Sequence, residues 1–243
     1  MPARADELTL WPSYDLRTDV AVTAGAVGGT FALLAFKDRL VPTTCRWCNP
    51  PDFDVDVTQS LGWRNANAAS KASNILQVAL CGGVAGNALV DGFRRGDARV
   101  GAVNALLIAE ATGIAMLVDT GVKYATSRER PYVWLGHATD GRNGNLSFFS
   151  GHTSFVFAVA ASSSTLLLSQ HAPGAEIATA VSFAGAAGVG YLRIAADEHY
   201  LTDVLAGAAA GTLIGWAVPH FWHPSKASSV QLRPALGGLA VVW

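Results

Sequence analysis

The sequence predicts an all-α, integral-membrane bundle of about six transmembrane helices, and three observations lead there. Charge is scarce: 17 Lys or Arg and 18 Asp or Glu make up 14% of 243 residues, against about 25% in a typical soluble domain. The scarcity is also uneven. No Asp, Glu, Lys or Arg occurs in Val20–Phe36, Ala72–Val90 or Val204–Ser225, and only Glu176 interrupts Gly144–Leu192. Finally, the uninterrupted stretches have the length of about 17–25 residues that a helix needs to cross the hydrocarbon core, and Gly144–Leu192 is long enough for two such helices.

Taken in order, the first span is 20–36, read as an uncleaved anchor. The polar, mixed-charge Met1–Asp19 lacks the pattern of a cleavable signal. The second is 72–90, where Cys81 is a small packing residue. The third, 100–122, carries Glu110 and Asp119, and Glu110 is expected deep in the bundle, hydrogen-bonded or protonated. The fourth and fifth, 152–169 and 176–192, are separated by His171-Ala172-Pro173-Gly174, and the sixth is 203–220. Their Ala, Gly, Ser and Thr content suits close helix contact in a bilayer. The alternative is a soluble all-helical protein with unusually buried helices. Disorder, a coiled coil and a disulfide-dense secreted scaffold are excluded by composition.

Arg94, Arg95 and Arg99 fall in one short connection, which the positive-inside rule assigns to the cytoplasm. Both termini then lie inside, in keeping with Arg4, Arg17, Lys226 and Arg233, while 37–71, 123–151 and 193–202 lie outside. A single domain, 1–243, is expected, with tails at 1–19 and 221–243. A formal charge of −1 without a long basic run argues against a nucleic-acid partner. Cys45 and Cys48 form C-x-x-C in the first outer segment. Two thiols make a poor zinc site, a redox motif lacks its βαβ context, and a local disulfide is the plainest reading.

Three segments carry chemistry, all on the outer side. Lys123, Arg128 and Arg130, followed by the helix-stopping Pro131, place three cations where a helix ends, an arrangement that can clamp an anion. The plainer reading is a basic cluster at lipid headgroups. Ser147-Phe-Phe-Ser150-Gly151-His152 leads into the fourth span, where exposed N–H groups welcome an anion and His152 can move a proton. Here the plainer reading is a capping turn with an incidental histidine. Last, Arg193 precedes His199 and Asp203. A separation of four puts that pair on one helix face, where the carboxylate can fix the imidazole tautomer and free the other nitrogen as a nucleophile. Otherwise the two form a cap and nothing more.

Together, Lys123-x6-Arg130-Pro131, Ser150-Gly151-His152 and Arg193-x5-His199-x3-Asp203 resemble the three-part signature of type 2 phosphatidic acid phosphatases (PAP2). That superfamily also contains bacterial acid phosphatases and vanadium haloperoxidases. The resemblance covers about 100–220. Phe149 stands where the family usually has Pro, and Leu192 where it usually has Ser.

The resemblance implies the PAP2/haloperoxidase-like helical core and a phosphatase that needs no metal or other cofactor. His199 would attack phosphorus and Asp203 would hold its ring. His152 would protonate the leaving oxygen and then activate water. Lys123, Arg130, Arg193, Ser150 and Gly151 would bind the phosphoryl oxygens. Asp119, one turn before Lys123, is read as orienting its ammonium. The expected substrate is a lipid phosphomonoester or pyrophosphate, reached from the bilayer in a bacterial inner membrane with the site facing the periplasm or outside. Phosphate or vanadate is expected as an inhibitor. The alternatives are a soluble or periplasmic acid phosphatase, a haloperoxidase with vanadate as its cofactor, and a lipid-binding protein with a vestigial site.

Overall fold

The computed structural model describes residues 12–224, together with the backbone of 231–235 and 238–242. Among the described residues, six helices are long and apolar enough to cross a membrane. They are α1 (Leu16–Ala35), α4 (Ala66–Arg94), α5 (Ala98–Thr126), α7 (Gly151–Ser169), α8 (Ala175–Ala195) and α9 (Leu201–Ala217, extended by a π turn, Val218–Trp222). Short helices α2 (Lys37–Leu40), α3 (Asp52–Leu61) and α6 (Pro131–Trp134) lie in the expected outer segments.

The helices α4 and α5 run several residues past the apolar stretches that announced them. Their ends are polar but still helical: the side chain of Asn65 caps the Ala68 N–H at 3.0 Å, and that of Asp97 caps the Arg99 N–H at 2.8 Å. At the α4–α5 turn, Arg95 is paired with Asp91 at 2.9 Å, and Asn104 exchanges hydrogen bonds with Gln170. Of the positive residues invoked for orientation, Arg4 and Lys226 lie outside the described residues.

Helix α7 is central, packed by α5, α8 and α9. The closest approach is to α9, through Gly207, Gly211 and Gly215. A Cβ at any of them would come within 3 Å of the carbonyl oxygen of Ser150, Ser154 or Ala158. The repeat of four keeps all three on one face, so the two backbones touch along their length. This contact fixes the start of α7 beside the start of α9.

The segment 37–71, anticipated as an outer connection, contains α3. Pro51 precedes its first turn, and Asp52 and Asp54 lie in that turn, where carboxylates favour the helix dipole. Cys45 and Cys48 are joined by a disulfide just before it. The anticipated C-terminal tail holds a two-stranded antiparallel hairpin, β1 (Gln231–Ala235) and β2 (Gly238–Val242), with Gln231 opposite Val242.

Candidate active site

The C-terminal ends of α5 and α8 and the N-terminal ends of α7 and α9 supply the side chains. Helix α5 stops at Ser127, whose left-handed φ of 45° closes its last turn. Four residues before that stop, Lys123 Nζ donates to both oxygens of Asp119, at 2.9 and 2.8 Å. The pair meets the first residue of α7. A Cβ on Gly151 would lie 2.6 Å from Lys123 Nζ and 2.7 Å from Asp119 Oδ2, so only glycine lets the ammonium sit against this helix start. Ser150 immediately precedes α7; its N–H donates to the Asp203 carbonyl at 3.0 Å, and its hydroxyl accepts from Thr153.

Arg130 and Arg193 arrive from opposite sides and share one partner. Glu198 Oε2 accepts from Arg130 Nη1 and, at 3.1 Å, pairs with Arg193 Nη2. Arg193 also donates to Ser73 Oγ of α4 at 3.1 Å, while its buried Nε has no hydrogen-bond partner among the described residues. Glu198 is therefore a site residue that the motif reading passed over. Its signal was simply its place beside His199. As a carboxylate on two phosphate-clamping guanidiniums, it competes with phosphoryl oxygens for the same donors. The variant Glu198→Gln is expected to tighten inhibition by phosphate and vanadate several-fold, measured as Ki; weaker inhibition would mean that the carboxylate chiefly orients the arginines.

His199 is 1% exposed. It lies not on α9 but in the turn before it, where the Asp203 carboxylate accepts from the Tyr200 N–H at 3.0 Å and the helix starts at Leu201. The expected pairing on one helix face becomes a pairing across a helix start, with His199 Nδ1 3.8 Å from Asp203 Oδ2. That is charge-pair distance, longer than a hydrogen bond, and Nδ1 has no other partner among the described residues. Burial, and then Arg130, Arg193, Lys123 and His152 around it, hold the imidazole pKa well below its usual value. At neutral pH the ring is therefore an uncharged base. His152 stands on the first turn of α7, its Nε2 2.9 Å from Asn74 Oδ1 of α4.

Arg128, one of the three cations at the α5 terminus, does not join the anion cluster. Its guanidinium turns back, bonding Asp203 Oδ1 at 2.5 Å and Asp54 Oδ2 at 2.8 Å. It lies between the rings of Trp47 and Tyr200, 3.9 and 4.4 Å from their centroids. Asp203 also accepts from Ser147 Oγ and the Tyr200 N–H. Asp54 accepts from the N–H and hydroxyl of Thr202. Neither Asp54 nor Ser147 could be picked out from spacing, since each acts through a tertiary contact.

Lys123, Arg130 and Arg193 thus converge with two histidines and a helix N-terminus, a constellation suited to an oxyanion that gains charge during reaction. The Asp119 contact gives a direct test. Asp119→Asn keeps the shape but removes the charge-assisted bonds, and is expected to lower kcat/KM roughly tenfold and to weaken vanadate inhibition. Expression is expected to stay near normal. Unchanged vanadate inhibition would remove the orienting role.

Comparison with known proteins agrees with this architecture. Over 113 residues the chain is 34% identical to the Lipid A 1-phosphatase of Porphyromonas gingivalis; the match spans 45% of this chain and 22% of that protein's length. The fold is similar to the crystal structure of a transmembrane PAP2-type phosphatidylglycerolphosphate phosphatase from Bacillus subtilis. The TM-score is 0.52 at 17% identity, over 80% of this chain and 94% of that one. The model of the PAP2 superfamily matches residues 104–227, just over half of the chain and all three motif segments. The chain is an integral-membrane member of the PAP2 superfamily.

Proposed function

We propose that the chain is a lipid-phosphate phosphatase that hydrolyses a phosphomonoester or pyrophosphate through a phosphohistidine. One observation carries the reading: His199 is buried beside Lys123, Arg130 and Arg193 at the end of a membrane bundle, where burial and those cations push its pKa down. His199 Nε2 attacks phosphorus while Lys123, Arg130 and Arg193 neutralise the equatorial oxygens, with Ser150 and the Gly151 N–H beside them. Asp203, held by Arg128, stabilises the imidazolium that forms. His152 gives its proton to the leaving oxygen and then takes one from the water that cleaves the P–N bond. No step calls on a metal.

A site at helix ends is reached by a headgroup still anchored in the leaflet. Two similar proteins bear the names of phosphatases for lipid A and for phosphatidylglycerolphosphate, which supports a lipid phosphate as substrate. With Arg94, Arg95 and Arg99 in the cytoplasm, the site faces outward, in a bacterial inner membrane towards the periplasm. The test is phosphate release by detergent-purified protein from a panel of lipid phosphates and pyrophosphates. Initial rates are expected to withstand EDTA and to fall with vanadate. Release confined to water-soluble monoesters would favour a general acid phosphatase, and halide oxidation with bound vanadate would favour a haloperoxidase.

A further inference from the structure

A second polar cluster lies away from the phosphate-binding end, about 20 Å along α5 from Lys123 at 1.5 Å per residue. It joins Asp19 of α1, Glu110 of α5 and His223, just after the π turn that ends α9. All three are buried, and one ligand atom from each lies within 4.8 Å of the others. Sequence spacing hides the group, because its members are 91 and 113 residues apart.

The hydrogen bonds of His223 require a proton or a metal ion between its ring and Glu110. Its Nδ1 lies 2.9 Å from the Ser13 carbonyl oxygen. A carbonyl can only accept, so Nδ1 carries the proton. The other nitrogen, Nε2, lies 3.0 Å from Glu110 Oε2. In a neutral ring with that tautomer, Nε2 presents a lone pair to a carboxylate, and two lone pairs at this distance repel. A proton on either group, or a metal ion, must stand between them. A single proton satisfies Nε2 and Glu110 but leaves the Asp19 carboxylate buried alongside, its Oδ2 bonded by the Asp15 N–H at 3.0 Å. A divalent ion would satisfy all three groups and cancel both carboxylate charges.

We propose that Asp19, Glu110 and His223 bind a divalent transition-metal ion of the zinc class. One imidazole and two carboxylates suit that ion, at about 2.0–2.2 Å from each ligand atom. Ligands so placed stand about 3.3–3.5 Å apart, and rotamer adjustments of about an ångström bring the present separations to that range. A backbone carbonyl on the far nitrogen of the histidine is the outer partner that fixes a metal-binding tautomer. An entry path exists: a cavity of about 240 Å³ is lined by Ser13, Asp15, Thr18, Asp19, Trp222 and His223. It would give the ion a water as fourth ligand. The site fastens the start of α1 and the end of α9 to the middle of α5, so its effect is on stability and not on phosphoryl transfer.

The test uses the full chain purified in detergent, stripped with a chelator and then titrated with Zn²⁺, with Mg²⁺ as the control cation. The expected result is one equivalent of bound zinc by elemental analysis and a rise in unfolding temperature that Mg²⁺ does not reproduce. His223→Ala and Glu110→Gln should each lose both responses. Should either variant fail to fold, Asp19→Asn, at the rim of the cavity, is expected to weaken zinc binding at least tenfold while folding normally. A wild-type protein that takes up no zinc and unfolds at the same temperature with and without it would overturn the proposal and leave a proton as the cation.

Discussion

His199→Ala is expected to lower turnover by roughly four decades or more, because loss of the nucleophile removes the covalent route while leaving only binding and charge neutralisation. Radiolabelled substrate should mark the wild-type protein with an acid-labile, base-stable phosphoryl group and leave the variant unmarked. His152→Ala should differ in kind. Its nucleophile remains, so a substrate with a good leaving group should still phosphorylate the enzyme, and the label should then persist because water is no longer activated. The low pKa of His199 adds a pH signature. An ordinary imidazole protonates near pH 6.5, but burial and the three cations keep His199 uncharged below that. Allowing for the second ionisation of the substrate, kcat/KM should not fall through a titration centred near 6.5. Near-normal turnover by His199→Ala, or a label found on another residue, would end the phosphohistidine reading.

How far the sequence reveals this depends on whether a feature is local or tertiary. The six spans are local: each is an apolar run, poor in charge and long enough to cross a bilayer, and all six become helices. Ends are less legible, since Asn65 and Asp97 extend α4 and α5 through capping that hydropathy does not register. The Asp119–Lys123 contact is also local, a matter of one helical turn. By contrast, His199 and Asp203 have the same spacing but are not on one helix face, because the Asp203 carboxylate caps the Tyr200 N–H and the helix starts after His199. Identical spacing thus gave the right neighbours and the wrong geometry. Asp54, Ser147 and Ser73 enter the site by tertiary contact alone, and nothing in their local sequence marks them. The three cations after the third span read as one group, yet burial sorts them. Lys123 and Arg130 go to the anion cluster, and Arg128 is diverted by two carboxylates that arrive from α3 and α9.

That diversion makes Arg128 the residue whose loss should cost the fold most. Its side chain is 1% exposed and its two carboxylate partners 0%. Arg128→Ala would leave Asp54 and Asp203 as buried, unpaired charges, a change that typically costs about 3–5 kcal/mol. In a chain of this length that corresponds to a fall of roughly 10 °C in unfolding temperature. Arg128→Lys should recover only part of this, because an ammonium cannot span two carboxylates as the planar guanidinium does, nor stack between Trp47 and Tyr200 as well. Asp54→Asn removes one carboxylate and leaves the Arg128–Asp203 pair, so it should be the mildest of the three. Activity separates a positioning role from stability alone. Arg128 touches Asp203 but is not among the groups that face the phosphoryl site. Below its unfolding temperature, Arg128→Lys should therefore lower kcat, through a less firmly held Asp203, and leave KM nearly unchanged. A Lys variant with unaltered kcat would confine Arg128 to stability. An Ala variant that unfolds within a degree or two of wild type would mean that the buried triad does not hold α3, the α5 terminus and α9 together.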